Sequence, residues 1–328
     1  MLFVENFNTN PYCNHALEEW LMDNYDEDCF MLWRNKKSIL LGKNQNAPNE
    51  INIQYAKEHG IHIVRRITGG GTVFTDEENL MFSFISSNSS SDFTDFKKFT
   101  KPILNALSSL GVCAEFTGRN DILIEGRKIS GNAQCRYKNK VLHHGTLMFE
   151  ADTGEMAKAL KVHKLKLEGK GVKSVESRVT NIKKYLKFDM NIEEFRTYLF
   201  DYVKSSVDNA RLLKLTDDQW EEVRCLALKK HSTDKWIYGT SPSYNTHNEV
   251  KFSWGILEVF IDIKKDRINS IRIYGDFFGD GNVSDIEEKL KGTLYNRIDI
   301  ANTLSTIDSD EYFYKITREE LIDAIKPD

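Results

Sequence analysis

The chain has 328 residues, 40% hydrophobic and 29% charged, with 45 basic against 49 acidic side chains and a formal net charge of −4. Bulk charge therefore argues against a nucleic-acid partner, and the length suits one large domain plus a smaller one. No apolar run approaches membrane-spanning length, which argues against a membrane protein. The opening "MLFVENFNTN" has neither the basic nor the long apolar region of a secretory signal. The five scattered cysteines contain no CxxC pair, so a zinc site and a disulfide framework are both disfavoured. The expectation is a cytoplasmic protein with reduced thiols.

In chain order, Asn10 and Pro11 read as an N-cap and first helical position, followed by Ala16, Leu17, Trp20 and Leu21 at helical spacing. "FMLWRNKKSILLG" (30–42) reads as two short strands around a polar turn. Residues 49–59 read as a helix stopped by Gly60. "IHIVRR" and "LMFSFISS" are strands on either side of a glycine run. Residues 92–110 form an amphipathic helix ending at Gly111, preceded by the polar loop "SSNSSSD". Four strand-like runs follow, "VCAEFTG", "DILIEG", "KISGNAQCRY" and "VLHHGTLMFE", and then a helix over 152–161. "GTSPSYNTHNE" (239–249) has the composition of a linker. Beyond it lie two or three strands within 252–278 and helices near 285–295 and 297–307. Hairpins mixed with helices favour an α+β fold over a parallel doubly wound sheet.

Four stretches carry candidate chemistry. "RRITGGGTVFTDEENLMFSF" (65–84) sets Gly69, Gly70 and Gly71 beside Arg65 and Arg66. Such a run is either a plain turn or a nest of amides for an anion. No Walker A or GxGxxG pattern is present. In "GRNDILIEGRKISGNAQ" (118–134), simple alternation puts Lys128, Ser130 and Asn132 on one face. A lysine there needs an anionic partner. In "HHGTLMFE", His143 and His144 face opposite sides and cannot easily share a metal ion. "EGKGVKSVESRVTNI" (168–182) is a glycine- and lysine-rich loop.

The order and spacing of these stretches closely resemble the lipoate–protein ligase family over essentially the whole chain. "NPYCNHALEEWL" and "LWRNKKSILLGKNQNAPNEIN" are similar to its opening helix and first hairpin, and "GDFF" to its small C-terminal domain. The resemblance implies a mixed, mostly antiparallel sheet flanked by helices, as in biotin protein ligases and class II synthetases. A small α/β domain would follow, with the division at 1–246 and 247–328. It implies ATP-dependent ligation of free lipoate, through lipoyl-adenylate, to one lysine of a carrier domain. That carrier would be a 2-oxoacid dehydrogenase E2 domain or a glycine cleavage H protein, with Mg²⁺ assisting. Carried over position by position, Arg66, Gly71, Thr72, Val73, Phe74, Asn79, Asp121 and Lys128 contact the nucleotide or adenylate. Arg66, Gly70, Gly71, Lys128 and His144 contact lipoate, Lys128 is the catalytic cation, and Asp121 is a metal ligand. Three positions depart from the family pattern: Thr68 for serine, Glu78 for glycine and Glu176 for arginine. The alternatives are a biotin ligase, a lipoyl or octanoyl transferase using Cys135, or a non-catalytic module that binds an acyl-adenylate or the carrier. Cys135 lies on the strand face opposite Lys128 if the alternation is regular.

Overall fold

The computed structural model describes all residues except 88–94, 119, 162–177, 240–242, 253, 280 and 328. The chain forms two compact units. The first comprises Met1–Leu41, Pro48–Arg66 and Thr72–Ile237; the second comprises Tyr238–Asp328 together with the short segments Gly42–Ala47 and Ile67–Gly71.

The first unit contains strands β1 (Leu2–Val4), β2 (Cys29–Trp33), β3 (Ser38–Leu41), β4 (His62–Arg65), β5 (Val73–Thr75) and β6 (Asn79–Ser86). Strands β7 (Glu115–Thr117), β8 (Asp121–Ile124), β9 (Arg127–Tyr137), β10 (Lys140–Met148) and β11 (Arg211–Leu213) complete it. Eight of them make one sheet in the order β11-β1-β2-β6-β10-β9-β8-β7; β3, β4 and β5 make a small second sheet. Among the described strands of the large sheet, only β1 pairs in parallel, with β11 and β2. The remaining pairs are antiparallel, so the expected mixed and mostly antiparallel architecture is present.

The two strands within 30–42 are not a hairpin, because β2 joins the large sheet and β3 the small one. The intervening turn is held by the opening segment instead. Asn14 donates to the Arg34 carbonyl (2.9 Å) and the Asn35 side chain (3.0 Å), and Lys36 N–H donates to the Thr9 carbonyl. Those bonds satisfy the turn without a ladder.

Helices α1 (Pro11–Asn24), α2 (Phe96–Ser109) and α3 (Ile192–Ser205) cover the large sheet. Asn10 caps α1 by accepting from the Tyr12 and Cys13 amides, and Pro11 occupies its first turn as expected. On one sheet face, Phe30, Phe82, Phe84, Ile122 and Ile129 pack with Phe99, Ile103, Phe195 and Leu199 of α2 and α3 in the main core. Helix α1 meets the other face, and 11 of its 14 residues are buried. Such a helix is sandwiched rather than one-sided.

The second unit has a three-stranded antiparallel sheet of β12 (Thr246–Lys251), β13 (Ile256–Lys264) and β14 (Arg267–Gly275). Lys265 and Asp266, both at positive φ, make the tight β13–β14 turn that matches strand twist. Leu257, Val259, Ile261, Ile271 and Ile273 pack on Ile286, Leu290, Ile300, Leu304 and Leu321 from the helices that follow. β12 begins inside the stretch read as a linker and runs two residues beyond it. Its polar composition is that of an edge strand, none of whose side chains is fully buried.

Candidate active site

Strand β9 sets the geometry. Opposite β8, Asp121 pairs with Gly131 and Ile122 with Ser130, but Leu123 pairs with Lys128. Ile129 is thus an extra residue, a β-bulge that resets the alternation. Ile129 and Ser130 both turn to the main core and are fully buried. Lys128 instead shares its face with Gly131 and Asp121. The expectation that Lys128, Ser130 and Asn132 share one face is therefore corrected: Ser130 and Asn132 lie together on the core side, with Asn132 donating to the Ser130 hydroxyl at 3.2 Å. The same bulge carries Ala133 and Cys135 onto the Lys128 face, reversing the expectation for Cys135.

The Lys128 ammonium lies 2.7 Å from the Asp121 carboxylate, and both side chains are about one-third exposed. A Cβ on Gly131 would lie 2.9 Å from that ammonium, so glycine leaves the lysine its position. The main chain beside Lys128 is closed by the end of the fourth sequence stretch: Thr180 N–H donates to the Lys128 carbonyl at 3.0 Å. Most of that stretch, including Glu176, lies outside the described residues.

The pairing of β10 extends the face. His144 lies opposite Ala133 on one side and Ser83 on the other. Ser83 alternates with Met81 and Asn79 along β6, so Asn79, His144 and Lys128 share one sheet face. Asn79 is buried and donates to Asp76 at 2.9 Å, while its side-chain oxygen has no donor among the described residues. That oxygen is an acceptor available to a ligand.

The adjacent arginines have different surroundings. Arg65 Nε donates to the Trp236 and Ile237 carbonyls, at 3.1 and 2.8 Å, and the Arg65 carbonyl accepts from the Trp236 indole. Arg65 thereby ties β4 to the segment Asp234–Tyr238. Arg66 is buried and donates to the Leu40 carbonyl at 2.9 Å. Burial brings its guanidinium down to about 10; Glu18 works against this and Arg65 adds to it. Leu40 of β3 also pairs with Val73, and Ile39 with Phe74. Thr72 and Val73 are partly exposed and Phe74 is buried.

The glycine run belongs to the second unit and divides there. A Cβ on Gly69 would collide with the Phe277 carbonyl oxygen. Gly70 has φ +87° and donates its N–H to that same oxygen at 3.3 Å. Two of the three glycines thus serve the local chain path. At Gly71 a Cβ would meet open space, so room remains there for an approaching ligand.

Glu18 of α1 is the residue that motif reading missed. Its carboxylate is fully buried, accepting from Ser83 Oγ at 2.6 Å, His144 Nδ1 at 2.8 Å and His15 Nδ1 at 3.0 Å. Ser83 in turn accepts from the Trp33 indole at 2.8 Å. Burial alone would raise the Glu18 carboxyl, but His144 and then His15 outweigh it and hold it far below the usual range. Burial takes His15 down to about 4, against the pull of Glu18. The His15, Glu18 and His144 donor atoms lie within 4.8 Å of one another, near enough for a metal ion. Both Nδ1 atoms, however, already face the carboxylate as hydrogen-bond donors. The visible signal was two ionisable residues three apart, His15 and Glu18, among the apolar residues of one helix.

Glu78, a departure from the family pattern, is partly buried. Burial and then Glu150 push its carboxyl up.

Residues 10–204 match the lipoyl protein ligase A/B catalytic domain, and residues 241–325 match the bacterial lipoate protein ligase C-terminus. The chain is 43% identical to the lipoate-protein ligase LplJ of Bacillus subtilis, covering 99% of this chain and 100% of that protein. It is 44% identical to lipoate–protein ligase 1 of Staphylococcus aureus, covering 98% and 99%. Among solved structures, LipL1 of P. falciparum in complex with lipoate superposes with a TM-score of 0.78 at 24% identity, over 99% of this chain and 98% of that one, and bears on the fold. A lipoate-protein ligase A bound with ATP gives 0.61 at 26% identity, over 72% and 98%. A bipartite ligase of Thermoplasma acidophilum, described with its E2 lipoyl domain, gives 0.65 at 28%, over 75% and 98%. With both domain models matched in order and curated relatives aligned end to end, the chain belongs to the lipoate–protein ligase family of enzymes.

Proposed function

We propose that the protein joins free lipoate to one lysine of a lipoyl carrier domain in two steps. A lipoate carboxylate oxygen attacks the α-phosphorus of ATP, and pyrophosphate leaves. The carrier lysine amine then attacks the acyl carbon, AMP leaves and the amine loses a proton. The first step brings two anions together, so it needs fixed cations rather than a protein nucleophile. The observation that carries the reading is Lys128, turned by the β9 bulge onto the face that also bears Asp121, Asn79 and His144. As a point charge, its ammonium suits the carboxylate and α-phosphate oxygens together. Arg66, Gly71, Thr72, Val73, Phe74, Asn79 and Asp121 are assigned to the nucleotide. Arg66, Gly70, Gly71, Lys128 and His144 are assigned to lipoate; for Gly70 this leaves only van der Waals contact, since its N–H is taken and its carbonyl cannot donate to a carboxylate.

A hard divalent cation takes carboxylate oxygens and substrate phosphates. Asp121 offers such an oxygen at the exposed end of β8, so the residues present fit Mg²⁺, which would neutralise the departing pyrophosphate. Catalysis is assigned to residues 1–246 and an accessory role in activation to 247–328. The carrier is an E2 lipoyl domain or a glycine cleavage H protein, and the compartment is the cytoplasm. Among the described residues no helix is long and apolar enough to cross a membrane.

The test mixes protein, ATP, Mg²⁺ and lipoate, and follows pyrophosphate release and the mass of candidate carrier domains. Release together with a lipoyl increment on one carrier lysine is expected. No release, with acyl transfer through a protein thioester, would favour the transferase. Binding without turnover would favour the non-catalytic module.

A second reading gains one observation, because Cys135 shares the Lys128 face. It sits four residues beyond Gly131, however, roughly 13 Å further along the strand.

A further inference from the structure

The chain leaves the first unit three times, after Leu41, after Arg66 and after Ile237. Arg65 and Arg66 tie these three exits together on the side of the first unit. Arg66 N–H donates to the Leu41 carbonyl at 2.9 Å, and its guanidinium donates to the Leu40 carbonyl. Arg65 Nε donates to the Trp236 and Ile237 carbonyls, which lie in the last turn of the helix Asp234–Tyr238 and have no intrahelical donors. In return the Trp236 indole donates to the Arg65 carbonyl at 2.9 Å. The indole is itself held. The Lys230 ammonium lies 4.4 Å from the centre of its ring, and both oxygens of Glu19 accept from that ammonium, at 2.8 and 2.7 Å.

One peptide unit carries two of these attachments. The Arg65 carbonyl and the Arg66 N–H belong to the same planar group. Trp236 donates to its oxygen and Leu41 accepts from its nitrogen, so the plane is pinned at both ends. Without the indole the carbonyl loses that donor, and the plane can turn about the Leu41 bond. We infer that Trp236 is a positioning residue for the nucleotide: its indole fixes the Arg65–Arg66 peptide, and with it the guanidinium of Arg66. This rests on the reading that Arg66 meets the nucleotide. Trp236 lies 171 residues beyond Arg65, well outside the glycine-run stretch. Coupling between two sites is reciprocal. If the indole bond steadies Arg66, a nucleotide held by Arg66 must strengthen the indole bond.

The experiment has two arms on the full chain. The first is a double-mutant cycle on pyrophosphate release. Trp236→Phe keeps a ring beneath Lys230 and removes only the N–H donor. It should lower kcat/KM for ATP by ~10-fold per folded molecule, since small misplacements remote from the reacting atoms act strongly. In an Arg66→Gln background the same change should make a difference of no more than about twofold, because both act through one guanidinium. The second arm follows hydrogen exchange of the Trp236 indole N–H by nitrogen-15 NMR, with the signal identified by its proximity to Arg65. Adding ATP and Mg²⁺ without lipoate should slow that exchange in wild type. Losses that simply add in the cycle would overturn the inference, as would an unchanged kcat/KM in folded Trp236→Phe, which would leave Trp236 a purely structural residue. Indole exchange indifferent to saturating ATP would overturn it as well, and this arm decides should Trp236→Phe not fold. Arg66→Gln with wild-type kcat/KM would instead sink the assignment of Arg66, and the inference with it. Wild type that releases no pyrophosphate would sink the ligase reading alone, since the exchange is read without turnover.

Discussion

His143 and His144 are consecutive and both buried, yet they belong to different machinery. His143 faces the main core, where it stacks on Phe99 with ring centroids 5.1 Å apart and on Phe82 at 5.8 Å. Asn132 donates through its own amide to the Asn120 carbonyl, so its oxygen must accept from His143 Nε2, while Gln134 donates to Nδ1. His143 is thus a neutral Nε2–H ring, and burial with help from His144 holds it well below its usual pKa. His144 faces α1 and donates from Nδ1 to a carboxylate. One backbone step exchanges an aromatic slot for an ionic network and reverses the tautomer. The two faces of this sheet therefore divide the labour, one holding the fold and the other presenting polar groups.

The sharpest test of that division is Lys128. It sits on the polar face, and its side chain is partly exposed, so Lys128→Ala should fold normally. Losing a fixed cation in the transition state should slow pyrophosphate release by ~10²-fold or more. Circular dichroism matching wild type, together with that loss, supports the assignment; wild-type release removes it.

The histidines break the comparison symmetrically. His144→Gln keeps an N–H donor for Glu18 but loses the ring nitrogen assigned to lipoate. Release should fall by ~10-fold or more with little change in denaturation midpoint. His143→Leu keeps the volume against Phe82 and Phe99 but orphans Asn132 and Gln134. It should cost ~2 kcal/mol in denaturant titration, while activity per folded molecule stays within about twofold. If the two variants exchanged phenotypes, the face assignment would be wrong.

How much of this was legible depended on regularity. β10 is paired without interruption from Lys140 to Met148, so alternation correctly separated His143 from His144. β9 is not regular. The bulge at Ile129 leaves no mark in "RKISGNAQ", and alternation counted through it misplaced Ser130, Asn132 and Cys135 relative to Lys128. Glu18 escaped because single-helix patterns assume that charges face water, whereas α1 is covered on most sides. The glycine run looked like one device, but its three residues answer to separate local demands. The turn between β2 and β3 looked like a hairpin because its true partners, Thr9 and Asn14, are some twenty or more residues upstream. Side-chain period is a local signal; bulges, sandwiched helices and sheet exchange are set by tertiary contacts.

Acid should weaken both faces in the same direction. His15 and His143 are buried as neutral rings, with folded pKa values below the unfolded value of about 6.5. Unfolding lets them bind protons, so stability is full above that value and declines as pH falls beneath it. For His15, with a folded value of about 4, the loss should reach ~3 kcal/mol by pH 4. Denaturant midpoints at pH 7, 5.5 and 4.5 should fall in that order, and His143→Leu should show a shallower decline. A flat profile over this range would mean the rings are not held neutral.

The smallest effect is expected at Cys135, although it shares the face of Lys128. The thiol is buried, and it lies opposite Leu142 in the ladder, beyond Ala133 and Gly131 from the lysine. An acyl group passing through adenylate chemistry never resides on sulfur. A thioester at Cys135 would have to form roughly 13 Å along the strand from the Gly131 position beside the Lys128 ammonium. Cys135→Ser should therefore keep ligation within about threefold of wild type, the modest change coming from a hydroxyl in a buried site. Intact-mass spectra of wild type under turnover should show no hydroxylamine-labile acyl adduct. An adduct at Cys135, with loss of transfer in the serine variant, would place this chain among thiol-dependent acyl transferases and make the polar face a thioester site.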